Sequence, residues 1–155
     1  MKSINKILIF GGAFNPPHMG HLHILKKAIN FINPDLTLVT IDKISPWKKM
    51  GDIIPFTYRL NMVNNLFNNE IDYKIYENKN NLIYSIDIIK DIHKKYKNAQ
   101  LFFLIGQDQY ELITTWNGYE SINKLCTLVC YKRGKKLIKK IHNNFSIFPK
   151  QYTIW

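Results

Sequence analysis

One junction near the N-terminus constrains the fold of this chain more than any other feature. Residues 7–10 read Ile-Leu-Ile-Phe, an apolar run typical of a buried parallel strand, and residues 22–31 have the pattern of a helix. The segment between them, residues 11–21, reads GGAFNPPHMGH. Because parallel strands are joined through a crossover helix, this junction predicts an α/β fold with a glycine turn at the start of a helix.

The same junction favours binding of an anion. The N–H groups in the first turn of a helix have no partner within it, and the helix dipole places positive charge there. Gly11 and Gly12 lack side chains, so a phosphate can approach the main chain closely. His18 and His21 share one face of a helix that begins near Met19. This order of strand, glycine turn and paired histidines is typical of nucleotidyl transfer; a plain turn followed by two surface histidines is the alternative.

The rest of the chain continues to alternate strands and helices. Strands are predicted at residues 36–41, 73–76, 101–105 and 125–131, and helices at residues 55–67 and 83–96. The first of these helices is predicted to bury a face formed by Tyr58, Met62, Val63 and Leu66. The order predicts an α/β protein with a Rossmann-like open parallel sheet and helices on both faces, in one domain over residues 1–155.

Residues 11–21 resemble the GGxFDPxHxGH motif of the HxGH nucleotidyltransferase superfamily, and within it the chain is most similar to the nicotinate-nucleotide adenylyltransferases. The resemblance extends from Ile7 to about Arg133. It implies a fold of nucleotidyltransferase type. It also implies transfer of AMP from ATP to nicotinate mononucleotide, giving nicotinate adenine dinucleotide and pyrophosphate in NAD biosynthesis. Mg²⁺ is the implied cofactor, carried with ATP and held mainly by phosphate oxygens and water rather than by a protein site.

The resemblance implies a role for each matching residue. Three residues would act in catalysis: His18, His21 and Lys48. Residues 45–49, SPWKK, carry Lys48 and resemble the family's PPHK segment, although a solvent-exposed lysine pair is the plainer interpretation. The residues that would bind ATP are Gly11, Gly12, Ala13, Phe14, His18, Gly20, His21, Gly106, Asp108 and Arg133. Arg133 matches the arginine of the family's R-P-G segment, and its guanidinium can pair with a phosphate through two hydrogen bonds.

Two further segments are implied to bind the mononucleotide. Tyr84 and Ser85 resemble the family's S-Y-T segment, whose main chain and hydroxyl groups recognise the nicotinate carboxylate. From the residues alone, Ser85 is a candidate N-cap of the helix that follows. Trp116 matches the tryptophan of the IIGxD…W segment, which would stack on the nicotinate ring. The alternatives are a core tryptophan in a helix and, for Asp108, a helix cap.

The chain departs from the family pattern at several positions. Asn15 stands where the family usually has Asp, which removes a polar option near the phosphates, and Trp47 replaces a histidine. The family continues into an ISSTxIR segment that binds the triphosphate, whereas this chain stops at Trp155, so we expect a C-terminally shortened domain. A degenerate nucleotide-binding relative therefore stays an alternative, as does an HxGH transferase acting on nicotinamide mononucleotide or phosphopantetheine.

Composition narrows the remaining classes of function. The formal charge is +11, from 22 basic and 11 acidic residues, yet no nucleic-acid-binding motif accompanies it, so we expect ATP and the mononucleotide rather than nucleic acid as partners. No apolar run approaches the length that spans a bilayer. Cys126 and Cys130 are predicted to be buried thiols in a reducing cytoplasm. The sequence leaves the choice between a monomer and a homo-oligomer open.

Overall fold

Six parallel strands form one sheet in the computed structural model, which describes residues 2–43, 50–132 and 145–148. The strands are β1 (Lys6–Gly12), β2 (Leu36–Ile41), β3 (Lys74–Ile75), β4 (Gln100–Gly106), β5 (Cys126–Tyr131) and β6 (Phe145–Phe148). They lie in the order β3-β2-β1-β4-β5-β6. This is the strand order of a Rossmann-type sheet, so the predicted fold class is confirmed.

Five α-helices connect the described strands. They are α1 (Met19–Ile32), α2 (Phe56–Phe67), α3 (Ser85–Lys95), α4 (Gln107–Leu112) and α5 (Tyr119–Leu125). Two short 3-10 turns complete the connections, at Met50–Asp52 and Ile113–Thr115. The helices α4 and α5 were not predicted as separate elements, and neither was strand β6. Among the described residues, no helix combines the length and the apolar character that a membrane span requires.

The core consists of two apolar clusters, one on each face of the sheet. In β1, Ile7 and Ile9 belong to the cluster under α3 and α5, whereas Leu8 and Phe10 belong to the cluster under α1 and α2. Successive side chains of a strand point to opposite faces, so a strand covered on both faces must be apolar throughout. This explains the unbroken apolar run of residues 7–10 and confirms that helices cover both faces.

The buried face of α2 differs from the prediction. Its buried residues are Arg59, Val63 and Phe67, whereas Tyr58 is 63% exposed. Val63 of the predicted face is confirmed as buried, and Met62 and Leu66 are half-buried. Tyr58 was wrong, and Arg59 was missed because the prediction excluded a charged residue from the inner stripe. Arg59 can occupy that stripe because its guanidinium meets main-chain carbonyl groups there, as described below.

Both cysteines lie on β5 in the core, and each is a free thiol. Burial raises the pKa of Cys126 and of Cys130 to about 12. These thiols are therefore inert packing groups at neutral pH, as the sequence predicted.

Candidate nucleotide-binding site

A cavity of about 760 Å³ opens at the carboxyl ends of β1 and β4. These two strands are neighbours, and the connections that leave them run to opposite faces of the sheet. Ligands of open α/β sheets bind at such a point. Six of the residues predicted to bind ATP line the cavity: Gly11, Gly12, Ala13, His21, Gly106 and Asp108. The three residues predicted to bind the mononucleotide, Tyr84, Ser85 and Trp116, line it as well.

Five other predicted positions are not among the described residues that line the cavity. Phe14, His18 and Gly20 belong to the same loop and helix start but do not line the cavity. Lys48 and Arg133 lie outside the described residues, so the structure neither places them near the cavity nor away from it.

The two histidines are held by the main chain at the start of α1. His18 is the N-cap residue, and its Nδ1 accepts a hydrogen bond from the N–H of Gly20 at 3.1 Å. Nδ1 of His21 accepts from the N–H of His18 at 3.0 Å, and the two ring centroids lie 3.8 Å apart. Because a nitrogen that accepts carries no proton, these bonds assign the ring proton to Nε2 in both residues. Each neutral imidazole is therefore a hydrogen-bond donor through Nε2.

Phe14 supports this pair from below rather than lining the cavity. Its side chain is 2% exposed and packs edge-on against Phe10 and Phe67. Its ring centroid lies 4.9 Å from that of His21. The backbone of Phe14 has a φ of 48°, in the left-handed region that bulky side chains rarely adopt. The position of Phe14 is thus that of a packing residue under His21.

Gly11 and Gly12 end β1, and the turn they begin lies close to β2. Gly11 pairs with Thr40 in the sheet, and a Cβ at Gly11 would come within 2.7 Å of the Thr40 hydroxyl oxygen. The N–H of Asp42 donates to the carbonyl of Gly12 at 2.9 Å, which continues the pairing past the end of the strand. The neighbouring strand by itself therefore requires glycine at position 11.

Arg59 has a role that the sequence pattern does not reveal. Its side chain is only 1% exposed and donates to four main-chain carbonyl groups. Its Nε donates to Ile54 at 2.7 Å, and its Nη1 to Ala13 at 2.8 Å and to Asp42 at 2.5 Å. Its Nη2 donates to Lys43 at 3.2 Å. A single arginine thus joins three separate segments at the edge of the cavity.

Asn15 makes a second connection between the glycine turn and the segment before α2. Its Nδ2 donates to the carbonyl of Asp52 at 2.8 Å, and its Oδ1 accepts from the N–H of Ile54 at 2.7 Å. The expectation that Asn15 merely removes a polar group near the phosphates is incomplete, because both ends of the amide are used within the protein. An ionised aspartate could accept from Ile54 but could not donate to Asp52.

Asp42 brings a carboxyl group to the cavity wall at the end of β2. Burial raises its pKa to about 6, although the nearby positive charge of Arg59 opposes that shift. Among the described residues that line the cavity, Asp42 and Asp108 are the acidic ones and none is a lysine or an arginine. Positive charge for a polyphosphate must therefore come from the helix start and from groups beyond the described lining, and the histidines contribute hydrogen-bond donors.

The opposite wall contains the predicted mononucleotide residues. Tyr84 is exposed and is the N-cap residue of α3, while Ser85 is the first residue of the helix. The interpretation of Ser85 as an N-cap was therefore wrong by one position, because the helix begins at Ser85 itself rather than at Ile86. Trp116 ends the 3-10 turn Ile113–Thr115, so it is not a residue of a helix, and its ring meets Phe103 edge-on at 6.1 Å between centroids.

Asp108 lies in the first turn of α4, whose N-cap is Gly106. Asp108 is therefore not the cap of this helix, and its exposed side chain stands at the cavity instead. The described residues contain no group of three or more His, Cys, Asp or Glu side chains that could hold a metal ion. The described part of the site therefore offers a metal no set of ligands of its own.

Comparison with known proteins gives consistent results. Residues 9–152 match the family model described as Cytidylyltransferase-like. A protein of a Nitratiruptor species, described as "Probable nicotinate-nucleotide adenylyltransferase", is 30% identical over 139 residues, which are 87% of this chain and 78% of the relative.

Solved structures share the fold. A Plasmodium falciparum nicotinic acid mononucleotide adenylyltransferase complexed with NaAD superposes with a TM-score of 0.80 at 23% identity, over 92% of this chain and 74% of that chain. The complex with APC gives a TM-score of 0.76 at 22% identity, over 92% and 73% of the two chains. At this level of identity, the two structures establish the architecture of the chain.

Proposed function

The chain belongs to the Cytidylyltransferase-like family and, within it, to the nicotinate-nucleotide adenylyltransferases, and on that premise we propose that it forms nicotinate adenine dinucleotide from ATP and nicotinate mononucleotide. One observation carries the proposal. A single cavity joins a glycine turn and a histidine-capped helix start to an aromatic wall that includes Tyr84 and Trp116. Such a cavity can hold a polyphosphate and a pyridine ring side by side.

In the proposed reaction, a 5′-phosphate oxygen of the mononucleotide attacks the α-phosphorus of ATP. The new bond joins that oxygen to the α-phosphorus, and the bond between the α-phosphorus and the bridging oxygen to the β-phosphorus breaks, which releases pyrophosphate. Because the attacking phosphate is already an anion, the protein needs no general base. Its task is to hold two anions in line and to stabilise the charge that builds up on the departing phosphates.

His18 and His21 are suited to this second task. The main chain occupies Nδ1 of each ring, so the N–H at Nε2 is the donor that each can offer to a phosphate oxygen. We place Gly11, Gly12 and Ala13 against the phosphates and Asp108 near the nucleoside. Lys48 and Arg133 belong to the proposal as additional positive charge, on the strength of their matching sequence positions.

The mononucleotide would lie against the opposite wall. Trp116 presents a half-buried indole whose edge contact with Phe103 leaves ring surface on the cavity. The start of α3 at Ser85 supplies N–H groups that attract a carboxylate. This arrangement favours nicotinate, which carries a carboxylate, over an uncharged ring substituent.

We propose Mg²⁺ as the metal that accompanies ATP. Because the described residues provide no cluster of metal ligands, the phosphate oxygens and water would hold the ion. When bound, Mg²⁺ would neutralise charge on the phosphates. A cytoplasmic setting and a single nucleotidyltransferase domain over residues 1–155 are further parts of the proposal.

A substrate panel tests the proposed function. The full-length protein would be incubated with ATP, Mg²⁺ and, in separate reactions, nicotinate mononucleotide, nicotinamide mononucleotide and phosphopantetheine. We expect pyrophosphate and nicotinate adenine dinucleotide in the first reaction at the highest kcat/KM. Binding of ATP without release of pyrophosphate in any reaction would indicate a nucleotide-binding relative, and turnover with phosphopantetheine alone would indicate another transferase.

A further inference from the structure

We propose that Arg59 and Asn15 are positioning residues for adenylyl transfer, because they hold the main chain of the glycine turn in the place where it can receive phosphate. We refer to Arg59, Asn15 and their hydrogen bonds to main-chain groups as the loop clamp. This inference rests on the proposed function and concerns residues that do not themselves line the cavity.

The environment of Arg59 indicates that this side chain joins segments of main chain as well as filling the core. Its neighbours on the inner face of α2, Val63 and Phe67, are fully buried apolar residues. An arginine in such a stripe loses its hydration, which is unfavourable unless each donor finds an acceptor. Here the acceptors are carbonyl oxygens of the turn after β1, of the end of β2 and of the approach to α2. An apolar residue could pack α2 equally well but could not join these three segments.

The loop clamp contacts the site through Ala13. The carbonyl of Ala13 accepts from Arg59, and Ala13 itself lines the cavity. The direction of this carbonyl sets the direction of the Phe14 N–H, since the two belong to one planar peptide unit. Two residues further on, Asn15 fixes the turn to the main chain of Asp52 and Ile54. The turn is therefore held at both sides of Phe14.

Phe14 links the position of the glycine turn to the position of His21. Its buried ring lies against that of His21, with 4.9 Å between the centroids. A shift of the turn would therefore move the support of His21 as well as the N–H groups. Small displacements of groups that stabilise a transition state lower the rate strongly, while ground-state binding is less sensitive. We therefore expect loss of the loop clamp to lower kcat more than it raises KM.

The test compares Arg59→Lys with Val63→Ala in the full-length protein. Lysine keeps the charge but not the planar fork of donors, so it can satisfy only part of the clamp. Val63→Ala removes core volume from the same helix face and removes none of the hydrogen bonds of the loop clamp. With temperatures chosen so that both variants are equally far below their Tm, we expect kcat to fall by about 10- to 100-fold in Arg59→Lys and by less than about twofold in Val63→Ala. The KM for ATP should change by less than about threefold in both.

Asn15→Ala provides a second measurement if Arg59→Lys fails to fold. The alanine loses both the donor to Asp52 and the acceptor for Ile54, so we expect a fall in kcat of about tenfold. Added methylguanidinium should restore part of the kcat of an Arg59→Ala variant and leave that of Val63→Ala unchanged.

The outcomes separate this inference from the proposed function. Equal kcat in Arg59→Lys and Val63→Ala, or full activity in Asn15→Ala, would overturn the loop clamp while the wild-type protein still forms dinucleotide. A wild-type protein that forms no dinucleotide would overturn both proposals together.

Discussion

One side of the cavity is lined from a single short segment, by residues 10–13 and by His21, whereas the opposite side combines residues 83–85 with residues 115–117. We refer to these as the loop side and the ring side. On the loop side, hydrogen bonds between residues two or three apart hold His18, Gly20 and His21. On the ring side, the two segments meet only because α3 packs beside the chain that leads into α5. The contrast indicates that the two histidines are placed by local hydrogen bonds, whereas Tyr84 and Trp116 are brought together by packing between distant segments.

The largest expected effect tests whether His18 acts in the chemistry as well as in the local structure. His18→Ala and His21→Ala should each lower kcat by at least about tenfold, and by as much as about 10³-fold, because each removes a donor to the departing phosphates. His18→Asn separates the two roles, since asparagine is a good N-cap but has no imidazole. We expect His18→Asn to recover the thermal stability lost in His18→Ala, as followed by circular dichroism, and not its kcat. Recovery of both would assign His18 to the helix start alone.

The packing of the ring side is tested at Gly118, which lies outside the cavity lining. Gly118 has a φ of +72°, and a Cβ there would come within 2.8 Å of the side chain of Ile86 on α3. Gly118→Ala should lower the free energy of unfolding by about 2 kcal/mol through overpacking and strain. It should also raise the KM for nicotinate mononucleotide while the KM for ATP stays unchanged. The matched control is Gly51→Ala, because no atom of the described residues lies within 4 Å of a Cβ at Gly51.

Trp116→Ala tests recognition of the ring directly. Loss of the aromatic surface should raise the KM for the mononucleotide by about tenfold, or ~1.4 kcal/mol, and affect ATP less. Trp116→Phe should retain much of the affinity, because a ring of lower area still stacks. Equal losses for the two substrates in initial-rate measurements would remove Trp116 from the ring side of the proposal.

The smallest expected effect concerns the pH dependence of stability at the two ends of the sheet. Asp42, at the site, has a pKa raised to about 6 in the folded protein, whereas its ordinary value is 3.8. Folding then requires uptake of a proton between these values, so this carboxyl destabilises the folded state increasingly as the pH rises from 3.8 to about 6. Asp42→Asn should therefore increase the free energy of unfolding near neutral pH by about 1 kcal/mol and change it little near pH ~4.

Asp35, at the opposite end of the sheet, should behave in the reverse sense. Hydrogen bonds from the N–H groups of Asn5 and Lys6 lower its pKa, so its contribution stabilises the fold above the ordinary pKa and is lost as the pH falls. Asp35→Asn should thus destabilise the protein near neutrality. Urea unfolding of both variants at about pH 4 and about pH 8 provides the measurement, and a common sign at neutral pH would contradict the contrast.

The strand bounds were predicted well where a strand is buried on both faces and its residues are apolar or β-branched throughout. Residues 36–41 form β2 with the predicted bounds, because an uninterrupted apolar and β-branched run has few alternatives when both faces are covered. The run at residues 73–76 pairs only at Lys74 and Ile75, since this strand lies at the edge of the sheet. The length of an edge strand depends on its pairing with a single neighbouring strand, and the residue pattern of the edge strand does not predict how far that pairing extends.

The site residues likewise divide into those that the sequence could place and those that it could not. The histidines could be placed from the sequence because eleven consecutive residues contain their partners. Arg59 could not, because its four acceptors lie 5 to 46 positions away and are main-chain carbonyl groups that every residue carries. Resemblance to a family singled out the residues of the ring side, Tyr84, Ser85 and Trp116. No sequence pattern within the chain relates Trp116 to the other two.

The amino-acid sequence by itself determined the layered sheet, the glycine turn and the histidine-capped start of α1, because short-range sterics, strand periodicity and adjacent hydrogen bonds suffice for them. The tertiary structure alone decided that Arg59 points inward, that Phe14 supports His21 from the core and that Trp116 shares a cavity with Tyr84. These relations arise from helices packed on a twisted sheet, where contacts between distant positions are selected by the shape of the whole core.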